Sequence, residues 1–136
     1  MILITGIPNA GKTTYSQKYD NVIHFDEVKG GRHRRDKVIE SVKDDNILVV
    51  EGVYEKAKDR KALIDASNTH NTCIWIDTPL DVCLDREGKY RHRGKHLVIW
   101  ADEAYEPPTL SEGWDEIIII RGEHEQRIVN KEKLVN

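Results

Sequence analysis

Gly6-Ile7-Pro8-Asn9-Ala10-Gly11-Lys12-Thr13-Thr14 decides how the rest of the chain is read. Glycine, four residues and then Gly-Lys-Thr is the pattern of a phosphate-binding loop. The spacing has a physical reason. Successive backbone N–H groups must turn inward around an anion, and that needs glycine where a β-carbon would collide or φ must be positive. Gly6, Ile7, Pro8, Asn9, Ala10, Gly11, Lys12, Thr13 and Thr14 are therefore the expected nucleotide-binding residues. The Lys12 ammonium is expected on the β- and γ-phosphates, and the Thr13 hydroxyl on Mg²⁺. Upstream, Met1-Ile2-Leu3-Ile4-Thr5 is a short apolar strand; downstream, Lys12 to Tyr19 reads as a helix whose N-terminus faces the same anion. The competing reading, a chance glycine-rich turn, does not account for strand, loop and helix arriving in this order.

Working outward, Asn21 to Phe25 reads as a second strand ending at Asp26, and a helix is expected from about Arg35 to Lys43, with Val38, Ile39 and Val42 on one face. Asn46 to Val50 is a continuous apolar run of the kind buried on both faces of a parallel sheet, and it ends at Glu51. Tyr54 to Ser67 is helical with a patchy apolar pattern. Thr72 to Ile76 is a fourth strand ending at Asp77. Thr78 is placed to cap the next helix, with Pro79 in its first position and Asp81 in its first turn. His96 to Tyr105 is amphipathic and stops at Glu106-Pro107-Pro108, and Glu116 to Ile120 is a fifth strand. The polar tail beyond it has room for a short edge strand. Alternating strands and helices predict an α/β fold: a parallel five-stranded sheet with helices on both faces, in one domain spanning residues 1–136. The order 2-3-1-4-5 is expected, with the phosphate-loop strand central.

Composition narrows the functional classes. A third of the residues are charged, 33%, and no apolar run approaches a membrane span. The phosphate loop begins at residue six, so no cleavable leader is expected, and the chain reads as cytoplasmic. Cys73 and Cys83 fall in a strand and a helix, as reduced structural thiols do. The six histidines show no metal-ligand spacing and no zinc pattern. A net charge of −3 argues against a general nucleic-acid binder. Its distribution matters more: Lys29, Arg32, Arg34, Arg35 and Lys37 form one basic cluster, and Arg86, Lys89, Arg91, Arg93 and Lys95 another.

In such sheets ligands bind beyond the carboxyl ends of the strands, where the phosphate loop, Asp26, Glu51 and Asp77 all fall. Asp26 is the candidate general base for an attacking hydroxyl; the alternative is a carboxylate capping its turn. Glu51 is a candidate for the acceptor hydroxyl or for a Mg²⁺-bound water, or it merely terminates its strand. Asp77 is expected to support the turn at Thr78. The second basic cluster, bracketed by Gly88 and Gly94, has the composition of a lid carrying cations to the γ-phosphate, or of a solvated loop. The first cluster follows Asp26, where an acceptor's phosphates would dock. Trp75 reads as core, while Tyr54, Tyr90 and Trp114 are candidates for stacking a base, against the commoner role of lone aromatics in packing.

These residues resemble the kinase domain of the polynucleotide 5′-hydroxyl kinases, over most of the chain. Gly-x-Pro-x-x-Gly-Lys-Thr-Thr is similar to that family's phosphate loop. The strand ending at Asp26 resembles the one bearing its general base, and Thr78-Pro79-Leu80-Asp81 leading to Arg86, then Arg93-Gly94, resembles the approach to its lid arginines. Tyr105-Glu106-Pro107-Pro108-Thr109-Leu110-Ser111-Glu112-Gly113-Trp114 is similar to its aromatic-Glu-Pro-Pro segment followed by Glu-Gly-aromatic. The resemblance implies a P-loop kinase fold with an arginine-bearing lid, using ATP and Mg²⁺. Asp26, Lys12, Arg86 and Arg93 would be catalytic, with Arg86 also on the nucleotide. Lys29, Arg32, Arg34, Arg35 and Glu51 would meet the substrate, a 5′-hydroxyl end of DNA or RNA. The chain departs from the family at Lys29, where an arginine is common, and at Glu51-Gly52-Val53-Tyr54, where Asp and then Thr-Asn are common. A companion 3′-phosphatase motif is absent.

Polynucleotide 5′-hydroxyl phosphorylation is thus the leading expectation. The alternatives are a kinase of a small nucleoside or nucleotide, a kinase of hydroxymethylated bases in phage DNA, and a non-catalytic nucleotide-binding regulator. No guanine-recognition signature supports the last.

Overall fold

Leu3 and Ile4 are both fully buried, although they point to opposite sides of their strand, so this strand has to lie inside a sheet covered on both faces. The computed structural model describes residues 1–44, 49–89 and 94–134. Its strands are β1 (Ile2–Thr5), β2 (Val22–His24), β3 (Val49–Glu51), β4 (Thr72–Ile76), β5 (Glu116–Arg121) and β6 (His124–Val129). Its helices are α1 (Lys12–Ser16), α2 (Arg34–Lys43), α3 (Ala57–Ala66), α4 (Leu80–Arg86) and α5 (Lys95–Ala104).

The sheet order is β2-β3-β1-β4-β5-β6. The first five strands are parallel and follow the expected 2-3-1-4-5 order, with β1 central. The expectation of a purely parallel five-stranded sheet is corrected at its edge: β6 pairs antiparallel with β5, making six strands in a mixed sheet. Two residues, Gly122 and Glu123, join them, and Gly122 supplies the positive φ of 60° that such a hairpin needs. The sequence of β6 carries charge on Glu125 and Arg127, as an exposed edge strand does.

Neighbouring residues on each strand serve different cores. Leu3, Val50, Cys73 and Ile117 pack with Val38 and Val42 of α2 and Leu63 of α3. Ile4, Val49, Ile74 and Ile118 pack with Cys83 of α4 and with Val98 and Ala101 of α5. Both cysteines are buried and unpaired, and burial raises both thiols above the ordinary range.

Two local expectations change. The helix foreseen to Tyr19 is α-helical only to Ser16, continuing as turns in which Lys18 N–H reaches Tyr15 and Tyr19 N–H reaches Ser16. Thr78 caps nothing: α4 starts at Leu80 after Pro79, and the Thr78 hydroxyl donates to the Ala10 carbonyl at 2.7 Å. Asn46, Ile47 and Leu48, expected to open β3, lie outside the described residues.

Candidate active site

The loop between β1 and α1 has the shape its glycines require. A β-carbon on Gly6 would lie 2.7 Å from the Ile76 carbonyl oxygen, a distance no side chain tolerates. Gly11 has φ 105°, in the left-handed region that favours glycine. The Lys12 ammonium is buried and donates to the Ile7 carbonyl at 2.9 Å, folded over the loop that it is expected to serve.

Helix α4 braces this loop from outside. Arg86 Nη1 donates to the Asn9 carbonyl at 2.8 Å. The Asn9 amide donates in turn to the Cys83 carbonyl at 3.2 Å and to Glu87 Oε2 at 2.8 Å. Glu87 Oε1 accepts the Gly94 N–H at 3.0 Å, so one buried carboxylate ties the loop to the start of α5. Arg93, the second expected lid arginine, lies outside the described residues together with Tyr90, Arg91 and His92.

The three strand-end carboxylates have separate surroundings. Glu51 is buried and its Oε1 accepts the Thr13 hydroxyl at 3.2 Å, which puts it beside the group expected to ligate Mg²⁺. The same oxygen meets His24 Nδ1 at 2.8 Å. Asp77, expected to support the Thr78 turn, instead accepts Arg121 Nε at 2.7 Å. Asp26 is exposed, in the 3-10 turn Phe25–Glu27 directly after β2.

Asp26 lines a cavity of about 350 Å³ together with Pro8 of the phosphate loop. Its apolar walls come mainly from Phe25, Tyr54, Leu97 and Trp100, and its cations are Arg34 and Arg35. The Arg34 guanidinium lies 4.9 Å from the Phe25 ring centre, and Trp100 is 57% exposed. Arg35 is already engaged, with Asp59 at 3.1 Å and Glu55 at 3.8 Å. Of the expected acceptor-binding residues, then, the structure gathers Arg34 and Arg35 around Asp26. Lys29 and Arg32 are exposed on the approach to α2, and Glu51 lies with Thr13.

Oxygen donors fit the expected cation. The Thr13 hydroxyl and the Glu51 carboxylate are hard ligands, and among the described residues no group of three His, Cys, Asp or Glu forms a metal cage. That suits Mg²⁺, which is held by one or two protein oxygens together with substrate phosphates.

Behind the cavity wall stands Arg60, fully buried in α3. Its Nη1 donates to the Tyr54 carbonyl at 2.8 Å and its Nη2 to the Glu106 carbonyl at 2.7 Å, while Nε and Nη2 also grip Glu112. Glu112 further accepts the Trp114 indole N–H at 3.1 Å and the Thr109 N–H at 3.0 Å. Glu106 Oε1 accepts the first N–H of α3, from Ala57, at 2.8 Å, and that bond holds the Glu106 carboxyl below its ordinary range. The Glu-Pro-Pro to Glu-Gly-Trp segment is therefore a clamp on residues 54–60. Trp114, a candidate for base stacking, is fully buried inside it.

Solved structures share this architecture. A gluconokinase from Sinorhizobium meliloti 1021 superposes with a TM-score of 0.70 at 13% identity, covering 90% of this chain and 82% of that one. The fold is that of the P-loop kinases. A sugar kinase from Janibacter sp. HTCC2649 superposes with a TM-score of 0.63 at 14% identity, covering 88% of this chain and 83% of that one. No family model and no curated protein matches the sequence.

Within this P-loop kinase fold several site residues were invisible in the sequence. His24 stands in an ordinary strand pattern, and Glu87 in a run of charges. The patchy apolar pattern of α3 was a signal for Arg60, since a core-facing position there is filled by an arginine beside Leu63. Trp100 was visible only as an aromatic on a helix.

Proposed function

We propose that this protein is an ATP-dependent kinase whose acceptor is a small hydroxylated molecule, a nucleoside or nucleotide, seated in the cavity beside Asp26. The observation that carries the proposal is that one cavity is walled by both the phosphate loop, at Pro8, and the candidate base, Asp26. A volume of about 350 Å³ suits a ligand of that size. The neighbours' names, gluconokinase and sugar kinase, support a small acceptor over a polynucleotide. The walls argue for a ring-bearing acceptor over a polyol. A polyol needs polar partners along its whole length, whereas Phe25, Tyr54, Leu97 and Trp100 offer apolar and aromatic surface. Arg34 supplies a cation for an anionic group, while Arg35 is paired with Asp59 and Glu55.

In the proposed reaction, Asp26 takes the proton of the acceptor hydroxyl as its oxygen bonds to the γ-phosphorus. The bond from that phosphorus to the β,γ-bridging oxygen breaks, and ADP leaves with the electron pair. Lys12 neutralises charge on the β- and γ-phosphates, and Arg86, held against the loop, adds a second cation. Thr13 and Glu51 are the residues that would hold Mg²⁺, which would supply positive charge to offset that developing on the phosphates.

The second reading, phosphorylation of a polynucleotide 5′-hydroxyl end, draws on the exposed cations Lys29 and Arg32 beside Arg34. One experiment separates the readings. γ-Labelled ATP is offered with nucleosides, nucleoside monophosphates, gluconate, hexoses, and 5′-hydroxyl DNA and RNA oligonucleotides. Label on a nucleoside or monophosphate is expected. Label on oligonucleotides alone establishes the second reading, and label on gluconate or a hexose alone overturns the ring-bearing acceptor. ATP binding without transfer to any of them overturns the kinase.

A further inference from the structure

We propose that His24 is a positioning residue for the cation side of the nucleotide site, acting through Glu51. The proposal rests on the reading of the loop as a Mg²⁺–nucleotide site and goes beyond it by naming the group that aims the carboxylate. Glu51 is 6% exposed, and a carboxylate so buried must have its oxygens engaged. Its Oε1 carries both contacts, the Thr13 hydroxyl at 3.2 Å and His24 Nδ1 at 2.8 Å. An ionised carboxylate only accepts, so Nδ1 carries the hydrogen and donates it.

The contact is set by the sheet. His24 and Glu51 are register partners on parallel strands β2 and β3, and Glu51 is in turn the register partner of Ile4 on β1. A rotation of the Glu51 side chain away from Thr13 would break the shorter of its two bonds. The His24 ring thus fixes the carboxylate toward the hydroxyl that is expected to ligate the cation. Groups in this outer position orient ligands and tune affinity for the metal without touching it.

The bland reading is a polar pair that stabilises the edge of the sheet. The two differ in what they move: an edge pair moves the unfolding midpoint alone, whereas a positioning residue moves cation affinity. The test uses a fluorescent ADP analogue bound to the full chain, titrated with Mg²⁺ or Mn²⁺ and compared with binding in chelator. His24→Leu, which removes the donor, is expected to weaken cation affinity by roughly 10- to 100-fold while cation-free nucleotide affinity stays at the wild-type value. His24→Asn, whose amide nitrogen stands close to the Nδ1 position, is expected to restore it. In a Glu51→Gln background, His24→Leu is expected to add nothing, because the two residues act as one unit. His24→Ser is the second donor-less variant if leucine unfolds β2. Wild-type cation affinity in the donor-less variants overturns the proposal, as do equal losses with and without cation or additive losses in the double variant. A wild-type chain that binds nucleotide equally well with and without cation overturns it too. A wild-type chain that binds no nucleotide overturns the loop reading and the proposal together.

Discussion

Arg60 and Glu112 form a two-pronged ion pair inside the protein, Nε to Oε1 at 2.8 Å and Nη2 to Oε2 at 2.9 Å, 52 positions apart in sequence. Both side chains are buried, 0% and 7% exposed. Each makes two further bonds: Arg60 to the Tyr54 and Glu106 carbonyls, Glu112 from Trp114 and Thr109. Desolvation lowers the Arg60 pKa, but the hydrogen bonds and charge of Glu112 outweigh it, so the net shift is upward. We expect Arg60→Ala to cost about 3–5 kcal/mol, because it strands a buried carboxylate. Replacing both partners by apolar residues of similar volume is expected to cost much less. Urea unfolding of the single and double variants checks both. Because the pair also holds the Tyr54 carbonyl, at a residue with φ 42°, the folded fraction of Arg60→Lys is expected to show a raised KM for acceptor with KM for ATP unchanged.

Asp26→Asn keeps the size of the side chain and removes the proposed base. The expected fall in kcat is about two to four orders of magnitude, with nucleotide affinity retained. Lys12→Ala is expected to abolish transfer outright in a folded protein, since it takes away the cation proposed to meet the β- and γ-phosphates. Steady-state turnover at saturating substrates, beside circular dichroism of each variant, decides both. Unchanged turnover in Asp26→Asn would remove that carboxylate from the reaction.

Arg86 and Arg34 meet different parts of the site, one bonded to the Asn9 carbonyl of the phosphate loop, the other lining the cavity over Phe25. Arg86→Ala is expected to lower kcat, on the order of a thousandfold if it stabilises charge on the transferred phosphoryl group. Arg34→Ala is expected to raise KM for an anionic acceptor while leaving kcat near its starting value, and to matter little for an uncharged nucleoside. Kinetics of both variants with a nucleoside and its monophosphate test the division. A pure KM effect at Arg86 would refute it.

Local chemistry wrote much of this into the chain. Gly6 to Thr14 announces its own backbone path, because the path is set by which residues tolerate it. The continuous apolar runs announce a two-sided parallel sheet, because burial on both faces confines polar residues to the strand ends. What was not legible depends on groups distant in sequence. Charge patterning assigned the basic residues after Asp26 to one acceptor-gripping cluster; the packing of α2 on α3 divides them, pairing Arg35 with Asp59 and leaving Arg34 over Phe25. β6 is polar, and nothing but a partner edge and a two-residue turn makes it a strand. Glu51 reads equally as a site carboxylate or a strand terminus until the register of β2 on β3 sets His24 beside it and the loop sets Thr13 against it. The Glu-Pro-Pro to Glu-Gly-Trp segment carries one local device, the Thr109–Glu112 capping box closed by Gly113 at φ 118°, but its main partner is distant: Arg60, a buried cation that makes four hydrogen bonds to residues 54, 106 and 112. Periodicity and turn chemistry act over a few residues and show in the sequence, whereas desolvation of paired charges is settled only where the folded chain brings them together.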